Sequence, residues 1–273
     1  MKKIILILII QSIIFFCLVL VVQGKISREN ENITYVSVSY TKEDTVKIFL
    51  DSAQYLREQG KIEDAINIYR KVTVMQPDNA EAYIGWLTTC FGSDRVDEGL
   101  RAIDQWVELN PDNTQACLYK AFAEAELGNH QKSLEAFEKL IELQPDEATN
   151  WIGKGQMLYA LNRYDEALEA FNKYTLIDTT RTDVWGMKAS TLARLGRFDE
   201  AINIINKNLE QSPDDPTSIY NRACIYSIKG DKAIALADLK SAIELEASFR
   251  KYARTDEDFR SLYEDEDFKN LTK

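Results

Sequence analysis

Residues 128–147 read GNHQKSLEAFEKLIELQPDE, and residues 161–178 read LNRYDEALEAFNKYTLID. In the first stretch Leu134, Phe137, Leu140 and Ile141 follow the helical period, and a proline then marks the exit. That proline belongs to a longer pattern. Pro77, Pro111, Pro145 and Pro213 stand on one 34-residue lattice, with Thr179 at the missing point. A second 34-residue series holds Gly60, Gly128, Gly196 and Gly230, with Asp94 and Asn162 at its gaps. Gly, Asn and Asp tolerate the left-handed conformation that a sharp turn between helices requires. A helix-ending signal and a turn signal recurring together mean one structural unit copied along the chain.

With the lattice proline at position 32, the units begin at Val46, Ala80, Thr114, Ala148, Thr182 and Pro216. Position 20 is then Ala65, Gly99, Ser133, Ala167, Ala201 and Ala235, small in every copy. Position 8 is Ala53, Leu87, Ala121, Gly155, Ala189 and Ala223, small in five. Position 24 carries the bulk, as Tyr69, Ile103, Phe137, Phe171, Ile205 and Leu239. Small residues in register imply two helices in close approach, with the large residues filling the space around them. Each unit is therefore a helix, a tight turn near position 15 and a second helix. Glu124 breaks the pattern, because a carboxylate falls on an apolar position and must either tilt to solvent or find a partner.

This in-register set resembles the tetratricopeptide repeat, and the match runs from residue 46 to about 249. The resemblance implies an all-α, right-handed superhelical solenoid of helix-turn-helix repeats whose concave groove holds another protein. The tail repeats itself, with DEDFRSL at 256–262 and DEDFKNL at 265–271. It is similar to the acidic cap that often closes such arrays, since a terminal repeat would otherwise expose its core edge. At the other end Thr41 and Asp44 have capping-box spacing for the first helix.

Residues 4–22 are almost wholly apolar and carry no charge. At 1.5 Å per residue they reach roughly 28 Å, near the hydrocarbon thickness of a bilayer. The expected division is a membrane segment at 1–24, a polar tether at 25–45, six repeats at 46–249 and the cap at 250–273. The apolar run reads as an uncleaved anchor, and cleavage after Gly24 is the alternative. Flanking lysines favour a single-pass protein with the repeats outside the cytoplasm, or a secreted one if cleavage occurs.

The 273 residues carry a net charge of -11. Phosphate binding needs a basic face, so nucleic acid is an unsuitable partner. The four cysteines, Cys17, Cys90, Cys117 and Cys224, form no CxxC, and the single histidine, His130, opens a second helix as a solvated turn residue. No metal site, cofactor or catalytic constellation is expected, nor an enzyme activity.

Function is thus expected in the groove lined by the first helices, at Phe91, Tyr119, Phe122, Gln156, Tyr159, Met187, Arg194, Tyr220 and Asn221. Aromatic groups rimmed by polar ones mark binding surfaces. The expected role is a membrane-tethered scaffold binding a protein segment. The alternative is homotypic assembly, or chaperone-like holding of apolar segments. Family members that grip chaperone tails use a basic carboxylate clamp. Leu50, Ile84, Gly85 and Thr88 stand at its positions here, so a carboxylate-ended chaperone tail is excluded.

Overall fold

The computed structural model describes residues 41–178 and 183–273. The apolar run at 4–22, its flanking tether up to Tyr40, Cys17 and Thr179 lie outside the described residues. Among the described residues there is no strand, and no helix is long and apolar enough to cross a membrane.

The architecture is an all-α solenoid of helical repeats, dividing into two compact units, Met1–Leu109 and Asn110–Lys273. The described part of the first holds two helix pairs: α1 (Lys42–Glu58) with α2 (Ile62–Met75), and α3 (Ala80–Phe91) with α4 (Val96–Leu109). The second holds four. They are α5 (Thr114–Glu126) with α6 (His130–Leu143), α7 (Ala148–Ala160) with α8 (Tyr164–Ile177), α9 (Asp183–Arg194) with α10 (Phe198–Gln211), and α11 (Pro216–Lys229) with α12 (Lys232–Leu245). Three short pieces follow: α13 (Phe249–Ala253), a 3-10 turn (Glu257–Leu262) and α14 (Glu266–Thr272).

The turn inside each pair is the same in all six copies. Gly60, Asp94, Gly128, Asn162, Gly196 and Gly230 all have positive φ, between 60° and 93°. The next residue then donates its N–H to a carbonyl five residues back, as Asn129 does to Glu124 and Arg163 to Leu158. This closure satisfies carbonyls that a helix end leaves open. The exits share a device as well. Two residues after the lattice proline, Asn79, Asn113 and Asp215 accept from the N–H of Ala82, Ala116 and Ser218 and cap the next first helix. The first helix opens on Thr41, whose hydroxyl accepts from the Asp44 N–H at 3.1 Å while the Asp44 carboxylate takes the Thr41 N–H at 2.9 Å.

Packing follows the expected register. Ala65, Ser133, Ala167, Ala201 and Ala235 are wholly buried, and Ser133 donates across to the Ala121 carbonyl at 2.7 Å. The large position-24 side chains reach into the following repeat. A Cβ placed on Gly85 would lie 2.4 Å from the Tyr69 ring, and one on Gly153 would lie 2.2 Å from the Phe137 ring. Full burial of such an aromatic stabilises by about 2–3 kcal/mol, which the glycines make accessible by leaving room. Glu124 is buried at 2% exposure, and its carboxylate accepts from Asn129 Nδ2 at 2.8 Å, with Lys132 Nζ at 3.8 Å. His130 differs from the expected solvated residue: it opens α6 half-buried. Cys90, Cys117 and Cys224 are buried free thiols.

Candidate partner-binding surface

First helices of successive repeats lie side by side within each unit, and the expected site residues fall along that face in three different situations. Phe122 and Gln156 are open to solvent. Phe122 is 55% exposed, standing edge-on to Phe137 with ring centroids 5.8 Å apart. Gln156 directs Nε2 at the Met187 sulfur, 3.5 Å away on the next first helix. Tyr119 and Met187 are half-buried beside them. Together these four make an apolar stripe with one amide across α5, α7 and α9.

Phe91 and Asn221 serve packing. The Phe91 ring lies over Gly99 in its own repeat, so that a Cβ there would be 2.7 Å away. The Asn221 amide lies over Gly186 on the first helix of the preceding repeat, 2.6 Å from where a Cβ would stand. Both are half-buried, and each fills room left by a glycine.

Of the remaining three, Tyr220 and Arg194 are engaged by the tail, and Tyr159 is held by Arg194. Tyr220 is only 7% exposed, which corrects its expected place on an open stripe. Its ring stacks on Phe249 and meets Phe259 edge-on at 5.6 Å, and its hydroxyl donates to Asp256 Oδ2 at 2.7 Å. Arg194 forms an ion pair with Asp258, and its Nε donates to the Tyr159 hydroxyl at 3.2 Å. The tail thus covers the α9 and α11 end of the face. The tail is expected only to close the last repeat, and its reach to Arg194 goes beyond that. The doubled DED phrase was the available signal.

Electrostatics at this end follow from burial. Burial beside Asp256 raises the Asp258 pKa, and Arg194 opposes that rise. Burial also pushes the Tyr220 phenol far above its ordinary range and the Cys224 thiol well above its own. Cys224, Asp256 and Asp258 have ligating atoms within 4.8 Å of one another, the spacing of a cation site. The carboxylates are already spoken for: Asp256 accepts from Tyr220 and from the Asp258 N–H, and Asp258 faces a guanidinium. Such a donor set does not fit a resident metal.

At the positions where a carboxylate clamp would stand, Leu50 is buried and Gly85 lies under the Tyr69 ring. Thr88 accepts from Arg57 at 3.0 Å.

Stacked helix pairs with this turn and this small-residue register define a helical-hairpin repeat protein. The tetratricopeptide repeat model matches residues 50–114, 91–148, 120–178, 182–215 and 216–249, and the chain belongs to that family. No match was found among curated proteins. Solved structures share the fold. A tetratricopeptide repeat protein from Parabacteroides merdae ATCC 43184 superposes with a TM-score of 0.61 at 19% identity, covering 84% of this chain and 97% of that one. MamA from Desulfovibrio magneticus RS-1 gives 0.55 at 19% identity, with 63% and 97% covered. YrrB, described as a TPR protein with an unusual peptide-binding site, gives 0.52 at 20% identity, with 66% and 92% covered.

Proposed function

We propose that this chain is a non-enzymatic interaction scaffold, held at a membrane by residues 4–22, which binds a protein segment along the first helices of its middle repeats. The observation that carries this reading is Phe122, a phenylalanine left 55% exposed on the first-helix face, with half-buried Tyr119 one turn before it. Gln156 and Met187 continue the stripe, and a large ring flanked by an amide and a thioether suits an apolar side chain of a bound segment. The peptide site named for YrrB supports a peptide ligand for a fold of this kind. The apolar length of residues 4–22 supports the anchor, with the repeats outside the cytoplasm.

A photo-cross-linking residue in place of Phe122, in chain recovered from solubilised membranes, tests the surface. One partner segment should cross-link there, and its yield should collapse in a chain carrying Gln156→Ala and Met187→Ala. Equal cross-linking from an outward position such as Lys71 would remove the surface from consideration. Carbonate extraction tests the anchor: full-length protein in the soluble fraction, beginning at Lys25, would replace it with a cleaved signal.

A further inference from the structure

The two copies of the tail phrase are used differently. In 265–271, Asp265 caps α14 and pairs with Lys232 on a second helix, while Phe268 is buried and Glu266 and Asp267 remain exposed. That is what covering the last repeat demands. The copy at 256–262 does more. Phe259 is wholly buried, Asp256 takes the Tyr220 hydroxyl, and Asp258 reaches back one further repeat to Arg194. Tyr220 and Arg194 stand on first helices, and the register of Arg194 is open to solvent at Glu58, Gly92, Glu126 and Ala160.

A seal over an exposed core edge needs an apolar inner face and a polar outer one. Asp256 caps the 3-10 turn as Asp265 caps α14, but Asp258, brought half-buried into the pocket of a chain with net charge -11, adds a desolvation cost that a cap does not require. The pocket answers each of them with a specific donor, a phenol for the first and a guanidinium for the second. The phenylalanine enters the apolar cluster that includes Ile219, Ala223 and Leu239.

We propose that the α9 and α11 end of the first-helix face is a recognition site for an acidic aromatic segment of the form Asp-X-Asp-Phe. The chain fills it in cis with residues 256–262, and a partner protein presenting the same phrase fills it in trans. This rests on the scaffold reading and names the partner chemistry at one end of the surface. Because Arg194 also holds the Tyr159 hydroxyl, occupancy of this end is linked to α7, which carries Gln156. A tethered copy is present at an effective concentration of about millimolar or higher, so the site exchanges its occupant only when the tail is weakened or the competitor is abundant.

The test uses the solubilised full-length chain carrying Phe259→Ala and a fluorescein-labelled peptide TDEDFRSLY, followed by fluorescence anisotropy. Saturable binding is expected, weaker by about tenfold or more once Arg194→Ala is added. A peptide with both aspartates changed to asparagine should bind less, and the wild-type chain should bind the parent peptide less than Phe259→Ala does. If circular dichroism shows that Phe259→Ala has lost its helices, Asp258→Asn takes its place, since that tail loses one ion pair and keeps its phenylalanine. A folded variant that ignores the peptide, or binds it regardless of Arg194, overturns the proposal. Cross-linking at Phe122 is read separately, so the scaffold reading survives or fails on its own measurement.

Discussion

Tyr220 and Phe249 stack with ring centroids 4.5 Å apart and planes 20° from parallel, joining the last first helix to the tail. Tyr220→Ser should therefore behave as a core deletion and cost about 3–5 kcal/mol. Phe122→Ser, at a site 55% exposed, should cost no more than about 1 kcal/mol. Urea denaturation of the two single variants checks the contrast. Equal costs would mean that the stack is incidental to stability.

Ala167 has no exposed surface, and it stands at the small-residue register between α7 and α8. Ala167→Leu should lower stability by about 1–3 kcal/mol through overpacking. An unchanged denaturation midpoint would show slack between these helices.

Deleting the segment after Ala253 removes Phe259, Leu262 and Phe268, which are 0%, 6% and 3% exposed, from the cluster around Leu239. The shortened chain should aggregate or melt at a lower temperature. Its Cys224 thiol, buried in the intact protein, should become the fastest of the three described cysteines to alkylate. Site-resolved mass spectrometry after iodoacetamide treatment reads this directly, and an unreactive Cys224 would contradict the covering role of the tail.

Burial, assisted by Glu98, raises the Cys90 thiol from 9.0 to about 11. The unfolded chain therefore loses this proton at lower pH than the folded one. The stabilising contribution is complete below about pH 9 and disappears as pH rises through about 11. Thermal melts across this window should fall less steeply for Cys90→Ala than for the parent. Identical slopes would assign the alkaline loss to other groups.

Much of this architecture was legible because it is periodic. The residue at position 15 must accept positive φ and the residue at position 20 must be small, and both demands recur every 34 residues. Glu124 was legible only as an anomaly, since its resolution depends on Asn129 folding back across a turn. The binding face was less readable, because identical residue types meet different surroundings. Tyr159 and Tyr220 look alike in sequence, yet only Tyr220 lies under a segment that returns 36 residues later. Arg194 looked like a free polar handle until Asp258, 64 residues away, was placed against it. Neither contact follows the period, so the period carried no information about them.

The aromatic-over-glycine joints have a consequence for the ancestry of the chain. Tyr69 fits over Gly85 and Phe137 over Gly153, so each of these repeats is cut to the shape of its neighbour. The unit after Ile103 carries Tyr119 where Gly85 and Gly153 stand, so a repeat ending in an aromatic at position 24 is expected to collide if moved in front of it. A shared spacing can be inherited in one event, but mating surfaces of this kind are acquired in pairs. A shuffled array would keep every helix signal and turn signal, and its stability would depend on whether each aromatic still met a glycine.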